Sequence, residues 1–166
     1  MEQIAERLAA ILETQIENYH TLKRLALDKR KALSANDLKA LPLITVDIQD
    51  IAAANYRLEE ERKSVAEQLA RELGFSKANV TLGQIAERLT GPLSERLHSL
   101  RSKAIAAIHD TQRQNRINVE LLKYCSNLMD SVLKNLVEPE SNRDVYGRTG
   151  VKKSAATAAA LFDHHI

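Results

Sequence analysis

Apolar residues return at steps of three and four along most of the first 137 positions, the spacing of one face of an α-helix. From about Glu2 to Leu33 the face is traced by Ile4, Leu8, Ile11, Leu12, Ile16, Tyr19, Leu22, Leu25 and Ala26, with Glu6, Arg7, Glu13, Glu17 and Lys23 opposite. Residues 2–33 are therefore predicted as the first helix. Ser34, Ala35, Asn36 and Asp37 interrupt it, and short oxygen-bearing side chains of this kind accept the free amides of a new helix. The cap is either Ser34, with Asp37 three residues on, or Asp37 itself. A second helix follows over 42–73, where Ile44, Ile48, Ile51, Leu58, Val65, Leu69 and Leu73 repeat as in a coiled-coil seam that also takes in Asn55 and Arg62. Gly74 supplies its left-handed stop.

Thr81 and Gln84 fit a capping box that opens a short helix, 82–90, using Leu82, Ile85, Ala86 and Leu89 to close one end of a bundle. Gly91 and Pro92 then start the longest element, 92–137, with proline where an amide would lack a partner in any case. It has no internal Gly or Pro, and as one straight helix it would be about 65–70 Å long. Its inner side is read as Leu93, Leu97, Leu100, Ala104, Ile108, Leu122, Cys125, Leu128, Met129, Val132, Leu133 and Leu136. At its middle, Thr111, Asn115 and Asn118 fall where apolar residues would be expected. Asn18 and Asn55 lie near the midpoints of the first two helices, so two readings stand. Asn18, Asn55, Asn115 and Asn118 form a buried polar layer that fixes register, or they line a solvated edge.

The fold predicted is all-α: an antiparallel bundle of three long helices, coiled-coil-like, occupying 1–137 with one short connecting helix. Beyond Val137 the periodicity ends at Glu138-Pro139-Glu140-Ser141-Asn142. Residues 138–166 are expected to be a flexible or partner-ordered irregular tail, anchored by Val145, Tyr146 and Val151, with a helix-competent apolar run at 154–162.

Composition narrows the chemistry. With 44% apolar and 28% charged residues but only 5 Gly, 3 Pro, 2 Phe and no Trp, the core must consist of aliphatic layers suited to narrow helical seams. A formal charge of +2 with both signs interspersed argues against a nucleic-acid binder. Met1-Glu2-Gln3 leads straight into an amphipathic helix, and no apolar run reaches the roughly 20 residues of a membrane span. The expectation is a soluble cytoplasmic protein without stable membrane insertion. Cys125 is alone, excluding an intrachain disulfide, and is read as a small buried hydrophobe among Leu121, Leu122, Leu128 and Met129. His20, His98 and His109 sit singly on helices, while His164-His165 make a poor metal site. Glu59-Glu60-Glu61 is a charged face, since consecutive helical residues do not face one another. No catalytic residue, cofactor or metal is expected.

Recognition by packing remains. Two helices of about 30 residues cannot cover one of about 45, and the C-terminal end is the part expected to lack cover. There Leu128, Met129, Val132, Leu133, Leu136 and Val137 crowd almost the full circumference. Such a surface serves a partner helix, or is covered by the tail or a second copy.

Ala32 to Leu41, Leu58 to Phe75, Asn115 to Leu136 and Tyr146 to Gly150, in this order, carry a resemblance to the FlgN-type flagellar export chaperones. Most telling are Asn115 and Asn118 followed by Leu121-Leu122, with Tyr146-Gly147 after a spacer. The resemblance implies a helical bundle that escorts hook-filament junction (hook-associated) proteins by binding their C-terminal helical segments and delivers them to the membrane-associated export apparatus. It places partner binding on Leu128, Met129, Val132, Leu133, Leu136, Tyr146 and Gly147. Leu161 and Phe162 belong to no pattern of the family and are added as further anchors. The main expectation is thus a monomeric or weakly dimeric export chaperone. The rival is a structural coiled-coil adaptor whose apolar end is a permanent dimer seam.

Overall fold

The computed structural model describes residues 1–75 and 80–137, in the order α1 (Glu2–Ser34), α2 (Ala40–Glu72), α3 (Leu82–Arg88) and α4 (Pro92–Val137). The tail 138–166, with its expected run at 154–162, lies outside the described residues. Within Met1–Val119, a compact unit, the helices form an all-α bundle. Cross-links give its topology. The N-terminal amine of Met1 meets Glu72, Arg7 meets Glu61, and Asn18 meets Asn55, so residue numbers fall on α2 as they rise on α1. The two are antiparallel. Arg96 holds Glu6 and Glu13, Lys23 pairs with Asp110, and Asn118 reaches Ala26, so α4 rises together with α1 and runs parallel to it. Up, down and up again is the pattern that an odd number of long helices requires.

The ends of the helices follow from local chemistry. At the α1 terminus the Asp37 amide bonds to Ala32 O (2.8 Å) and the Asn36 amide to Leu33 O (3.2 Å), with Asn36 at φ 55°. This is the Schellman arrangement, with asparagine as the left-handed residue. The Asp37 carboxylate then turns to α2, accepting from the amides of Lys39 (3.2 Å) and Ala40 (3.1 Å). Ser34 is the last residue of α1, and neither residue stands at the N-cap position of α2, which is Lys39 and makes no side-chain capping bond; the Asp37 carboxylate serves the first amides from two residues ahead of it. With these amides satisfied, α2 starts at Ala40, two residues ahead of expectation, and Pro42 sits in a first turn whose amides have no helical partner. The end of α2 repeats the device: Phe75 N bonds to Ala70 O and Gly74 N to Arg71 O, with Gly74 at φ 79°. At α3 both halves of the Thr81–Gln84 capping box are present, and Leu89 turns extended, ending the helix at Arg88 instead of residue 90.

The core is tightest where all four helices contribute. Leu8 of α1, Leu69 of α2, Ile85 of α3 and Leu97 of α4 are each 0% exposed and belong to one cluster with Ala5, Ala9, Leu12, Ile16 and Leu100. Alanines at 5, 9 and 86, all 0% exposed, let the backbones approach. Along the first turns of α2, in contrast, Ile44, Ile48 and Ile51 are only half-buried. Leu69→Ala is expected to lower the unfolding free energy by about 2–5 kcal/mol. Leu43→Ala, at a side chain 70% exposed, should change it by less than about 0.5 kcal/mol. Urea denaturation followed by circular dichroism measures both.

Candidate protein-binding surface

The second unit begins at Glu120, and its described part is the α4 stretch through Val137. The residues are good helix formers with no Gly or Pro, so the backbone continues without a break. At about 100° per residue, Leu128, Met129, Val132, Leu133 and Leu136 fall within an arc of roughly 140°, which the position of Val137 extends to roughly 180°. This corrects the expectation that the apolar residues crowd almost the full circumference, because Lys123, Asp130 and Lys134 occupy the other side. The element is amphipathic, yet its apolar stripe faces water. Leu128 is 53% exposed, Met129 67%, Val132 46%, Leu133 54% and Leu136 72%.

Leu122 and Cys125, read from sequence as inward-facing, are exposed as well, and both fall on the same arc. The sequence signal for them was already present, since 122, 125, 129, 132 and 136 step by three and four. What misled was the assumption that apolar periodicity implies cover. Val137 is the last residue of the helix, and its side chain lies outside the described residues, as do Tyr146, Gly147, Leu161 and Phe162.

The four asparagines expected to share a layer are divided. Asn18 Nδ2 donates to Asn55 Oδ1 at 3.0 Å. Asn118 Nδ2 donates at 2.7 Å to the carbonyl of Ala26, two turns along α1 from Asn18, and Asn115 is exposed. The α4 residue at the Asn18 level is Thr111, whose hydroxyl lies 3.0 Å from the Tyr19 carbonyl and 2.9 Å from that of Ala107. Thr111 to Tyr19 and Asn118 to Ala26 are the same contact repeated after seven residues on both helices. A heptad keeps two parallel helices in constant offset, so one side-chain position meets the same backbone position a repeat later. Small residues at 26 and 107 leave room for it. Asn55 Nδ2 and Asn118 Oδ1 are buried without a protein partner.

Beside this layer stands an ionic network. Arg62 donates to both carboxylate oxygens of Glu59, at 2.7 and 2.8 Å, and Gln15 donates to the same group. The Arg62 hydrogen bonds hold the Glu59 carboxyl below its ordinary value against the opposing effect of burial. Burial, followed by the nearby Glu59 charge, pushes the Tyr19 phenol up. The network ties α1 to α2 and offers no pair of groups poised to exchange a proton with a substrate. Among the described residues no three His, Cys, Asp or Glu side chains gather as a metal site, and no helix is long and apolar enough to cross a membrane.

A family model described as "FlgN protein" matches residues 1–154 of the chain. No curated protein and no solved structure matches it.

The polar layer and the network are separately testable. Asn18→Leu alone strands the remaining polar group of Asn55 and should cost about 1–3 kcal/mol, whereas the double change with Asn55→Leu should be near neutral or stabilising. For Glu59, a lowered folded pKa means stabilisation that is complete above the unfolded value and disappears as pH falls through the folded one. Glu59→Gln should therefore be less stable than the wild type at neutral pH and lose less on acidification. Urea titrations from neutral pH to below the ordinary glutamate value read out both effects.

Proposed function

The chain belongs to the FlgN family of flagellar export chaperones, and from that membership we propose that the exposed stripe of α4 sheathes an amphipathic helix of a flagellar protein awaiting export. The family is one of chaperones and not of enzymes, and its members bind flagellar proteins. The cargo in this reading is the C-terminal helix of a hook-filament junction protein, held back from premature assembly in the cytoplasm and handed to the export apparatus. The observation that carries it is the run of five apolar side chains between Leu128 and Leu136, all between 46% and 72% exposed. A helix with one wet apolar stripe is matched by a second helix bearing the complementary stripe.

The magnitude suits an escort. Covering the exposed halves of five such side chains is worth on the order of 5 kcal/mol, from which the costs of association and ordering must be subtracted. That favours reversible capture over permanent assembly, as cargo release requires. No cofactor takes part in such a mechanism, because both capture and release are packing events.

Leu133→Asp combined with Leu136→Asp is expected to weaken binding of a junction-protein C-terminal peptide by about 100-fold or more. Circular dichroism should stay unchanged, since both positions are exposed. Titration calorimetry decides the matter, and an unaltered affinity would sink the assignment of the stripe as the cargo site.

A further inference from the structure

The bundle of Met1–Val119 has a fourth helix position, and α3 fills only one end of it. On α1, Arg7, Gln15 and Asn18 reach α2, while Glu13, Lys23 and Arg30 reach α4. At 100° per residue the two sets point roughly 140° apart, so α2 and α4 stand on opposite flanks of α1 with a groove between them. At one end α3 lies in that groove. Ile85 and Ala86 join the core with Leu69 and Ala70 of α2 and with Leu97 and Leu100 of α4, Ser94 holds Ala86 O, and the Arg101 guanidinium passes beside Gly83. Past Arg101 no described helix continues in that place.

The walls of the uncovered stretch are apolar and wet. On the flank of α2 turned to α4 lie half-buried Ile48, exposed Ala52 and Tyr56, which is 70% exposed. On α4 lie Ile105, 43% exposed, exposed Gln112 and Val119, 50% exposed. Asn55 is level with Asn18 and Thr111 with Tyr19, so Tyr56 stands across from the turns between Ile105 and Gln112, and Ile48 across from the turn before Val119. Positions 105, 112 and 119 repeat by seven, a second seam beside the buried one through Leu97, Ala107 and Asn118. From Ile105 to Val119 it is about 21 Å, the length of a helix of about four turns.

Charge narrows the occupant. Between Leu97 and Val119, α4 carries Arg101, Lys103, Arg113 and Arg116 but a single acid, Asp110, which Lys23 holds. None of these four bases joins an ion pair among the described residues. Arg101 and Arg116 fall within about 60° of each other, on the side of α4 that carries Ile105 and Val119. The facing flank of α2 has no charge at Ile48, Ala52 or Tyr56, and Asp47 and Asp50 lie well round the helix from it. The groove is thus neutral on one wall and basic along the edge of the other. Segments of this chain match it poorly. The exposed stripe of α4 is bordered by two lysines and one acid, Lys123, Lys134 and Asp130, and the apolar run 154–162 follows Lys152-Lys153.

We propose that the groove between α2 and α4 is a docking site for an amphipathic helix of a partner protein, one with an aliphatic stripe at heptad spacing and an acidic edge. The helix lies end to end with α3 and completes a four-helix bundle. Its apolar stripe covers Tyr56, Ile105 and Val119, a polar residue meets Gln112, and its acids meet Arg101 and Arg116. The site uses no residue beyond Val119 and does not rest on the cargo reading of the α4 stripe.

A synthetic peptide tests it. The chain has no tryptophan, so one placed on the peptide reports binding through fluorescence anisotropy. The probe is a designed helix of about four turns, with leucines at heptad spacing, one central asparagine and glutamates along one edge; its control carries lysines in place of the glutamates. Both are titrated into the full chain bearing Leu133→Asp plus Leu136→Asp, which removes the α4 stripe as a competing seat. The glutamate peptide should bind at least about tenfold more tightly than the lysine peptide, and Arg101→Glu with Arg116→Glu should reverse that order. Tyr56→Asp and Ile105→Asp, one on each wall, should each weaken the glutamate peptide by about tenfold or more. Absence of binding at submillimolar concentration, equal affinity for the two peptides, or indifference to the arginine reversal or to both wall variants overturns the proposal. It is also overturned if Leu161→Asp plus Phe162→Asp tightens peptide binding, since the tail would then be the occupant. A dimer in sedimentation that Ile105→Asp dissociates would assign the groove to a second copy and overturn it as well. Circular dichroism on each variant verifies that the helices persist.

Discussion

Leu8, Leu69, Ile85 and Leu97, one side chain from each helix and none with any surface in water, form the contact on which the bundle of Met1–Val119 depends. A helix keeps its apolar stripe dry only where other surfaces lie along it. Three long helices alone leave an open end. The seven-residue α3 closes it, which is why so short an element carries a full capping box, a glycine turn after it and the Ser94 hydroxyl bonded back to Ala86 O at 2.7 Å. With these local devices holding α3 in place, Ile85 and Ala86 can be buried completely. Where α3 contributes nothing, as along Ile44 to Ile51, burial is only partial.

Halfway along the bundle the aliphatic layers give way to Asn18, Asn55 and Thr111. Polar groups in such a place do not add stability over well-packed aliphatic ones, and two of the amide atoms in this region have no protein partner. What their contacts discriminate is the offset between the helices. A leucine seam can slide by a heptad at modest cost, whereas Thr111 and Asn118 find the carbonyls of Tyr19 and Ala26 in one offset only. The two contacts repeat after seven residues, so the slip that would preserve one of them would leave the other unmade. The ionic tie between α1 and α2 at Gln15, Glu59 and Arg62 acts at a neighbouring level with the same consequence.

The stripe from Leu128 to Leu136 obeys the same periodicity as the core and meets the opposite fate. Its exposure is a standing cost in water, and the cargo-binding role proposed for the stripe gives that cost a purpose. An escort for aggregation-prone helices needs apolar surface available before cargo arrives, and it needs that surface to be modest enough for cargo to leave. The charged side of the element, with Lys123, Asp130 and Lys134, keeps the helix compatible with water in the interval.

The sequence by itself determined the helices, their stops and their caps, because these depend on neighbours within a turn or two. Asp37, Gly74, Thr81 with Gln84, and Pro92 mark their boundaries through local hydrogen bonds and backbone angles. It also determined which positions are apolar, and hence the existence of the stripe on α4. Only the tertiary structure decided which stripes are covered. Spacing places Leu97 and Leu128 in the same class, yet one is 0% and the other 53% exposed, since burial depends on residues distant in sequence. The same reason governs the asparagines. Thr111, not Asn115 or Asn118, stands level with Asn18, because that alignment is set by how far α1 and α4 are offset, a quantity that no local pattern encodes.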